Sequence, residues 1–189
     1  MPHRYIKKIL AANVYDVAVE TPVESARGLS TRLGNNILIK REDLQPVFSF
    51  KIRGAYNCIS QLTHAQRACG VVAASAGNHA QGVAMSAKHL GIKATIVMPK
   101  TTPDIKVNSV KALGGKVILF GDSFAEAYAH SLQMVADKGL VYIHPFDDEN
   151  VIAGQGTVAV ELLRQIRGNI DAVFVPVGGG GLIAGIAVY

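Results

Sequence analysis

The chain has 189 residues, of which 49% are hydrophobic and 17% charged, a balance that excludes a disordered polymer and allows one domain or two small ones. Its formal net charge of +5 comes from basic residues scattered along the sequence with no block and no interleaved aromatics, which argues against nucleic acid as the partner. No window approaches the roughly 20 apolar residues that span a bilayer, and the N-terminus MPHRYIKKILAANVYD has no signal-peptide core. Cys58 and Cys69 form no CxxC or metal-finger pattern, so free thiols in a reducing, cytoplasmic compartment are expected.

Short β-branched runs alternate with amphipathic stretches. Strands are predicted at 36–40 (NILIK), 70–75 (GVVAAS), 94–99 (ATIVMP), 116–120 (KVILF), 140–144 (LVYIH) and 172–177 (AVFVPV). Most are apolar without alternation, as parallel strands buried on both faces require. Between them, Thr102-Pro103-Asp104 predicts a cap with proline at the first helical position, and Gly114-Gly115 ends that helix. Asp122 or Ser123 caps FAEAYAHSLQMVADKG, which closes at Gly139, and Asp147-Asp148-Glu149 opens VIAGQGTVAVELLRQIRG. This alternation predicts an α/β fold with open parallel sheets and helices on both faces. The loops REDLQPVFSFK and HPFDDEN suggest a subdomain nested between them. The sequence ends at GLIAGIAVY, inside a helical pattern without a cap, so a longer parent is expected.

Ligands of open parallel sheets bind beyond the carboxyl ends of the strands, and three segments there carry unusual chemistry. In PVFSFKIRGAY, Ser49 is expected to cap a helix starting near Phe50, with Lys51 in the first turn. The helix dipole and burial would both disfavour its ammonium and favour a nucleophilic amine, although most lysines so placed are simply solvated. In SAGNHAQG, residues Ser75, Ala76, Gly77, Asn78 and His79 bring small side chains and helix-start amides together, suited to a carboxylate or phosphate. Ser75 or Asn78 would cap a helix in any case, and the His79 imidazole is expected to have no special role. No metal-ligand spacing accompanies it, so no metal is expected. In PVGGGGLIAG, Gly178 to Gly181 follow a strand and precede a helix. Four consecutive glycines exceed what a turn needs and suit one phosphate, yet they match neither a nucleotide P-loop nor GxGxxG. An amine nucleophile, a carboxylate pocket and a phosphate cup together fit pyridoxal phosphate acting on an amino acid.

From Asn13 to the last residue, KREDLQPVFSFKIRGAY, SAGNHAQG, VMPKTTPDIKV and PVGGGGLIAG closely resemble the biosynthetic threonine dehydratases (threonine deaminases). These belong to the fold-type II pyridoxal-phosphate enzymes, with serine dehydratase and serine racemase as the next readings and cysteine synthase a more distant one. The resemblance implies that Lys51 holds the cofactor as a Schiff base, with Phe50 against its ring and Asn78 on its 3′-oxygen. It implies that Gly178, Gly179, Gly180, Gly181 and the amide of Leu182 hold the phosphate, and that residues Ser75 to His79 receive the substrate carboxylate. It implies a small domain at 48–144 nested in a larger one formed by 1–47 and 145–189 and continuing beyond. The implied activity is conversion of threonine to 2-oxobutanoate and ammonia, the first step of isoleucine biosynthesis. It belongs to a full-length homo-oligomer, a tetramer, whose partner for the pyridine nitrogen and isoleucine-responsive module lie past residue 189. The chain alone is expected to be inactive and poorly stable. A non-catalytic phosphate- or nucleotide-binding module is the rival from another class, and it predicts no visible chromophore.

Overall fold

The structure is a computed structural model that describes residues 2–189. It opens with helix α1 (Pro2–Leu10), followed by strand β1 (Val23–Ser25), helix α2 (Arg27–Leu33), strand β2 (Leu38–Lys40) and a single 3₁₀ turn (Glu42–Leu44). Helices α3 (Lys51–Ser60) and α4 (His64–Cys69) lead into alternating strands and helices: β3 (Val71–Ala74), α5 (Asn78–His89), β4 (Ala94–Met98), α6 (Asp104–Ala112), β5 (Lys116–Leu119), α7 (Phe124–Lys138) and β6 (Val141–Tyr142). Helices α8 (Glu149–Gln165) and α9 (Gly181–Val188) close the chain.

Strands β5, β4, β3 and β6 form one parallel sheet in that order. Successive side chains on β3 and β4 face opposite layers. Val71, Ala73, Ile96 and Met98 pack with Ala55 and Ile59 of α3, with Val83 and Ala84 of α5, and with Val107 and Val110 of α6. Val72 and Val97 pack with Ala127 and Met134 of α7 on the other face. A strand covered on both sides has no polar face to show, which is why these runs do not alternate in the sequence.

Helix α3 lies between α5 and α8, so every residue from Ile52 to Ile59 is buried. Its crossing with α8 is backbone-close. A Cβ at Gly154 would stand 2.6 Å from the Arg53 carbonyl oxygen and 2.7 Å from Gly54 Cα. Outside the parallel sheet, β1 and β2 pair antiparallel, Glu24 opposite Ile39. The expected strand at 36–40 therefore exists, but it joins a separate two-stranded sheet.

Three local expectations need correction. Residues 172–177 form no strand, since no neighbouring strand supplies a ladder among the described residues, and Phe174 is 94% exposed. Ser49 does not cap α3; Phe50 takes that position in helical geometry, and Ser49 Oγ is buried with no hydrogen-bond partner in the structure. Likewise Pro103, not Thr102, precedes the first residue of α6, so the proline stands one position before the helix, and Thr102 Oγ1 is buried and unpaired. By contrast, Ser123 caps α7 in a reciprocal pair with Glu126, Gly139 closes it in left-handed geometry, and Asp148 caps α8 by accepting from Asn150 N and Val151 N.

Candidate active site

The carboxyl end of β3 delivers the chain into the Ser75–Asn78 turn. Ser75 N still donates to Val97 O, extending the ladder by one residue, and Ser75 Oγ accepts from Gly77 N at 3.2 Å. Gly77 holds the cap position of α5, and Asn78 begins the helix with its side chain exposed. The helix-start amides lack intrahelical acceptors one turn back.

Lys51 is the first residue of α3, as the sequence indicated. Its Nζ donates to the carbonyl oxygen of Pro145 at 2.6 Å and lies 5.4 Å from the centre of the Phe50 ring. Burial holds the Lys51 pKa below the ordinary lysine value. Just before it, Phe48 adopts φ 57°, a left-handed conformation that bulky side chains seldom take. Helix α5, which the asparagine loop opens, approaches the Lys51 backbone closely: a Cβ at Gly82 would stand 3.1 Å from the Lys51 carbonyl oxygen.

The segment 143–147, leaving β6, joins these parts to the glycine turn. Pro145 supplies the acceptor for Lys51, and the next residue, Phe146, packs against the glycines. A Cβ on Gly179 would fall 2.1 Å from Phe146 Cδ1, and one on Gly181 would fall 2.9 Å from the Phe146 carbonyl oxygen. Gly180, at φ 90°, occupies the cap of α9, so the amides of Gly181, Leu182 and Ile183 open a helix without intrahelical acceptors. The turn borders an open groove lined by Phe146, Asp147, Ile152 and Ala184.

Two histidines of this region have imidazole roles that the sequence did not indicate: His79 was expected only as the end of the carboxylate loop, with no role for its ring, and His144 was not singled out. His79 is buried, and its Nε2 lies 2.9 Å from the Ile143 carbonyl oxygen. A carbonyl only accepts, so Nε2 carries the proton; burial lowers the pKa to about 4, and the ring is neutral. His144 Nδ1 accepts from Phe146 N and from Asp147 N, at 3.3 and 2.7 Å. Adjacency of a histidine to the proline loop was the only available signal, and it says nothing about tautomer.

The other missed feature is a buried ionic network next to Lys51. Arg53 donates to Glu42 and Glu161, to Thr157 Oγ1 and to the Val19 carbonyl, while Lys40 and Tyr15 also reach Glu161. The sequence offered one hint: an arginine in the mostly apolar stretch IRGAYNCI. Cys58 is inert by comparison, its thiol pushed up to about 12 mainly by burial.

A parallel α/β unit that gathers a half-buried amine, a helix start and a glycine turn around one loop suits an enzyme built around a phosphorylated aldehyde. The chain belongs to the pyridoxal-phosphate dependent enzymes, whose family model matches residues 14–189. More particularly, it is 59% identical to the biosynthetic L-threonine dehydratase of Burkholderia multivorans, over 99% of this chain and 38% of that protein. The solved processed form of threonine deaminase isoform 2 from Solanum lycopersicum superposes with a TM-score of 0.96 at 57% identity, over 99% of this chain and 51% of that one. Maize serine racemase superposes at 0.92 with 40% identity, over 98% of this chain and 56% of the other. The chain thus spans well under two thirds of each relative. No helix among the described residues is long and apolar enough to cross a membrane.

The residues fit the cofactor on structural grounds. The Lys51 amine is half-buried with its pKa lowered by that burial, and the glycine turn leaves amides where any side chain at 179 would displace the Phe146 ring.

Proposed function

We propose that this chain is the cofactor-bearing part of a threonine dehydratase that converts L-threonine to 2-oxobutanoate and ammonia. The observation that carries this reading is the Lys51 amine, half-buried at a helix start and parked on the Pro145 carbonyl beside the glycine turn. Pyridoxal phosphate, when bound, supplies an aldehyde for that amine and a ring that accepts the electron pair left at a deprotonated carbon. Residues Gly178 to Gly181 and the amide of Leu182 hold its phosphate, Phe50 flanks its ring, and Asn78 donates to its 3′-oxygen.

The loop from Ser75 to His79 receives the substrate carboxylate with its helix-start amides. That grip orients the Cα–H bond toward Lys51. Once displaced by the substrate amine, Lys51 Nζ takes the Cα proton, a role for which burial has lowered its pKa. Loss of the β-hydroxyl as water and later addition of water with release of ammonia leave the sum redox-neutral: threonine gives 2-oxobutanoate plus ammonia.

The same reading divides the chain into a small domain at 48–144 within a larger one formed by 1–47 and 145–189. In its support, the four-stranded sheet lies wholly inside the first range. The reading also includes a homo-oligomeric parent in the cytoplasm, consistent with two unpaired cysteines.

The visible spectrum of the full-length protein, wild type against Lys51→Ala, tests the assignment, followed by borohydride reduction and peptide mapping. A reduced adduct on Lys51 with 2-oxobutanoate formed from threonine is expected. An adduct elsewhere would refute the lysine assignment. Inverted serine as the main product would replace the dehydratase by a serine racemase, to which the chain is also similar.

A further inference from the structure

We propose that His144 is a positioning residue for the cofactor site: its unprotonated Nδ1 holds the 145–147 turn in the one shape that presents both the Lys51 acceptor and the buttress of the glycine turn. This inference rests on the cofactor reading above and adds a residue to it.

The turn makes two separate contributions to the site. The Pro145 carbonyl oxygen receives Lys51 Nζ, and the Phe146 ring and backbone back Gly179 and Gly181. Both depend on the path of a short loop whose amides at 146 and 147 point inward to a single nitrogen, His144 Nδ1. A nitrogen accepting two N–H groups holds no proton, so the ring is the Nε2–H tautomer. The preceding residue is fixed by the opposite arrangement, because His79 donates its own Nε2–H to Ile143. Two neutral imidazoles in different roles therefore set the course of the chain from 143 to 147. The His144 ring also meets the edges of Tyr142 and Phe146, which limits its rotation.

The charged and titratable groups facing His144 are Lys51 from α3, His79 from α5, Tyr142 of β6, and Asp147 and Asp148 from its own loop. Burial lowers its pKa foremost; the two aspartates raise it and Lys51 lowers it, with a net shift below the ordinary histidine value of 6.5. A depressed histidine pKa means that the neutral ring contributes fully above 6.5 and that its contribution is lost as pH falls through the lowered value. Protonation would turn the acceptor into a donor aimed at two donors, and the turn would open.

Two substitutions separate acceptor from bulk. In His144→Asn, Oδ1 stands near the place of Nδ1 and accepts the same amides without titrating. In His144→Gln the oxygen reaches the place of Nε2 instead. With the full-length protein, His144→Gln is expected to raise the pyridoxal-phosphate dissociation constant about tenfold, the order set by two lost hydrogen bonds of ordinary net strength. His144→Asn is expected to stay within about twofold of wild type and to flatten the acid limb of cofactor affinity against pH. Imidazole ¹⁵N shifts of the wild type, read without cofactor at mildly alkaline pH, should show Nδ1 unprotonated. A protonated Nδ1, a His144→Gln protein of wild-type affinity, or a His144→Asn protein as weak as His144→Gln would each overturn the proposal. Should His144→Gln not fold, the nitrogen shifts and the Asn variant still decide. A wild type that binds no pyridoxal phosphate would instead remove the function proposed above, leaving the tautomer to the nitrogen shifts.

Discussion

Arg53 and Glu161 form an ion pair without water access: Nη2 stands 2.9 Å from Oε2, and neither side chain has exposed surface. Arg53 also reaches Glu42, Thr157 and the Val19 carbonyl, so one guanidinium ties α3 to α8 and to two loops of the N-terminal part. Breaking such a pair leaves a charge buried without compensation. Arg53→Met is therefore expected to destabilise the protein by about 3–5 kcal/mol, read from urea unfolding midpoints. Replacing Arg53 and Glu161 together by apolar residues should cost much less than the sum of the single changes.

Lys51 is expected to cost stability in the cofactor-free protein. Its depressed pKa disfavours the protonated amine on folding, so the penalty is absent above the ordinary value of 10.5 and present below it. Lys51→Met, stripped of cofactor, should gain about 0.5–2 kcal/mol at neutral pH, and the gain should shrink as pH approaches 10.5. Urea titrations across pH measure it. A Lys51→Met protein less stable than wild type would show that the bond to Pro145 outweighs the burial.

The α3–α8 crossing admits no side chain at Gly154. An added Cβ there meets backbone atoms of Arg53 and Gly54, which cannot rotate away. Gly154→Ala should destabilise by about 1–3 kcal/mol or more through overpacking, and should also weaken cofactor retention by tilting the helix that begins with Lys51. Thermal melts and cofactor titration read the two effects.

His79 makes stability pH-dependent. With its folded pKa near 4 against an ordinary 6.5, the neutral ring contributes above 6.5, and roughly 3 kcal/mol is lost as pH falls toward 4. His79→Gln, whose amide N–H can reach the Ile143 carbonyl, should keep the tie and flatten that part of the profile. An unchanged pH profile would show that other groups set the acid limb.

Much of this was legible in the sequence because parallel strands buried on both faces announce themselves as unbroken apolar runs. Those of β3 and β4, VVAA and ATIVM, are of this kind, whereas the edge strand β5 (KVIL) is exposed at both ends. The position of Lys51 at a helix start and the glycine cap of α9 were legible for a similar reason, since each depends only on neighbours in the chain. What escaped depends on distant partners. The run 172–177 has strand composition but no partner strand here, and β1 is three residues of no distinctive pattern. Ser49 looks like a cap, yet Phe50 in helical geometry occupies that place and the hydroxyl is buried instead. The Arg53 network unites residues separated by more than a hundred positions, and no local pattern encodes that meeting.

The missing side chain at Gly82 has a mechanical consequence. Helix α5 sits directly on the main chain of Lys51, with no flexible atoms between them to take up a shift. The amine and the loop at the head of α5 are thereby geared together as one rigid piece. Any hinge motion in this protein has to pivot outside that crossing, so Lys51 and the loop that opens α5 travel as a pair.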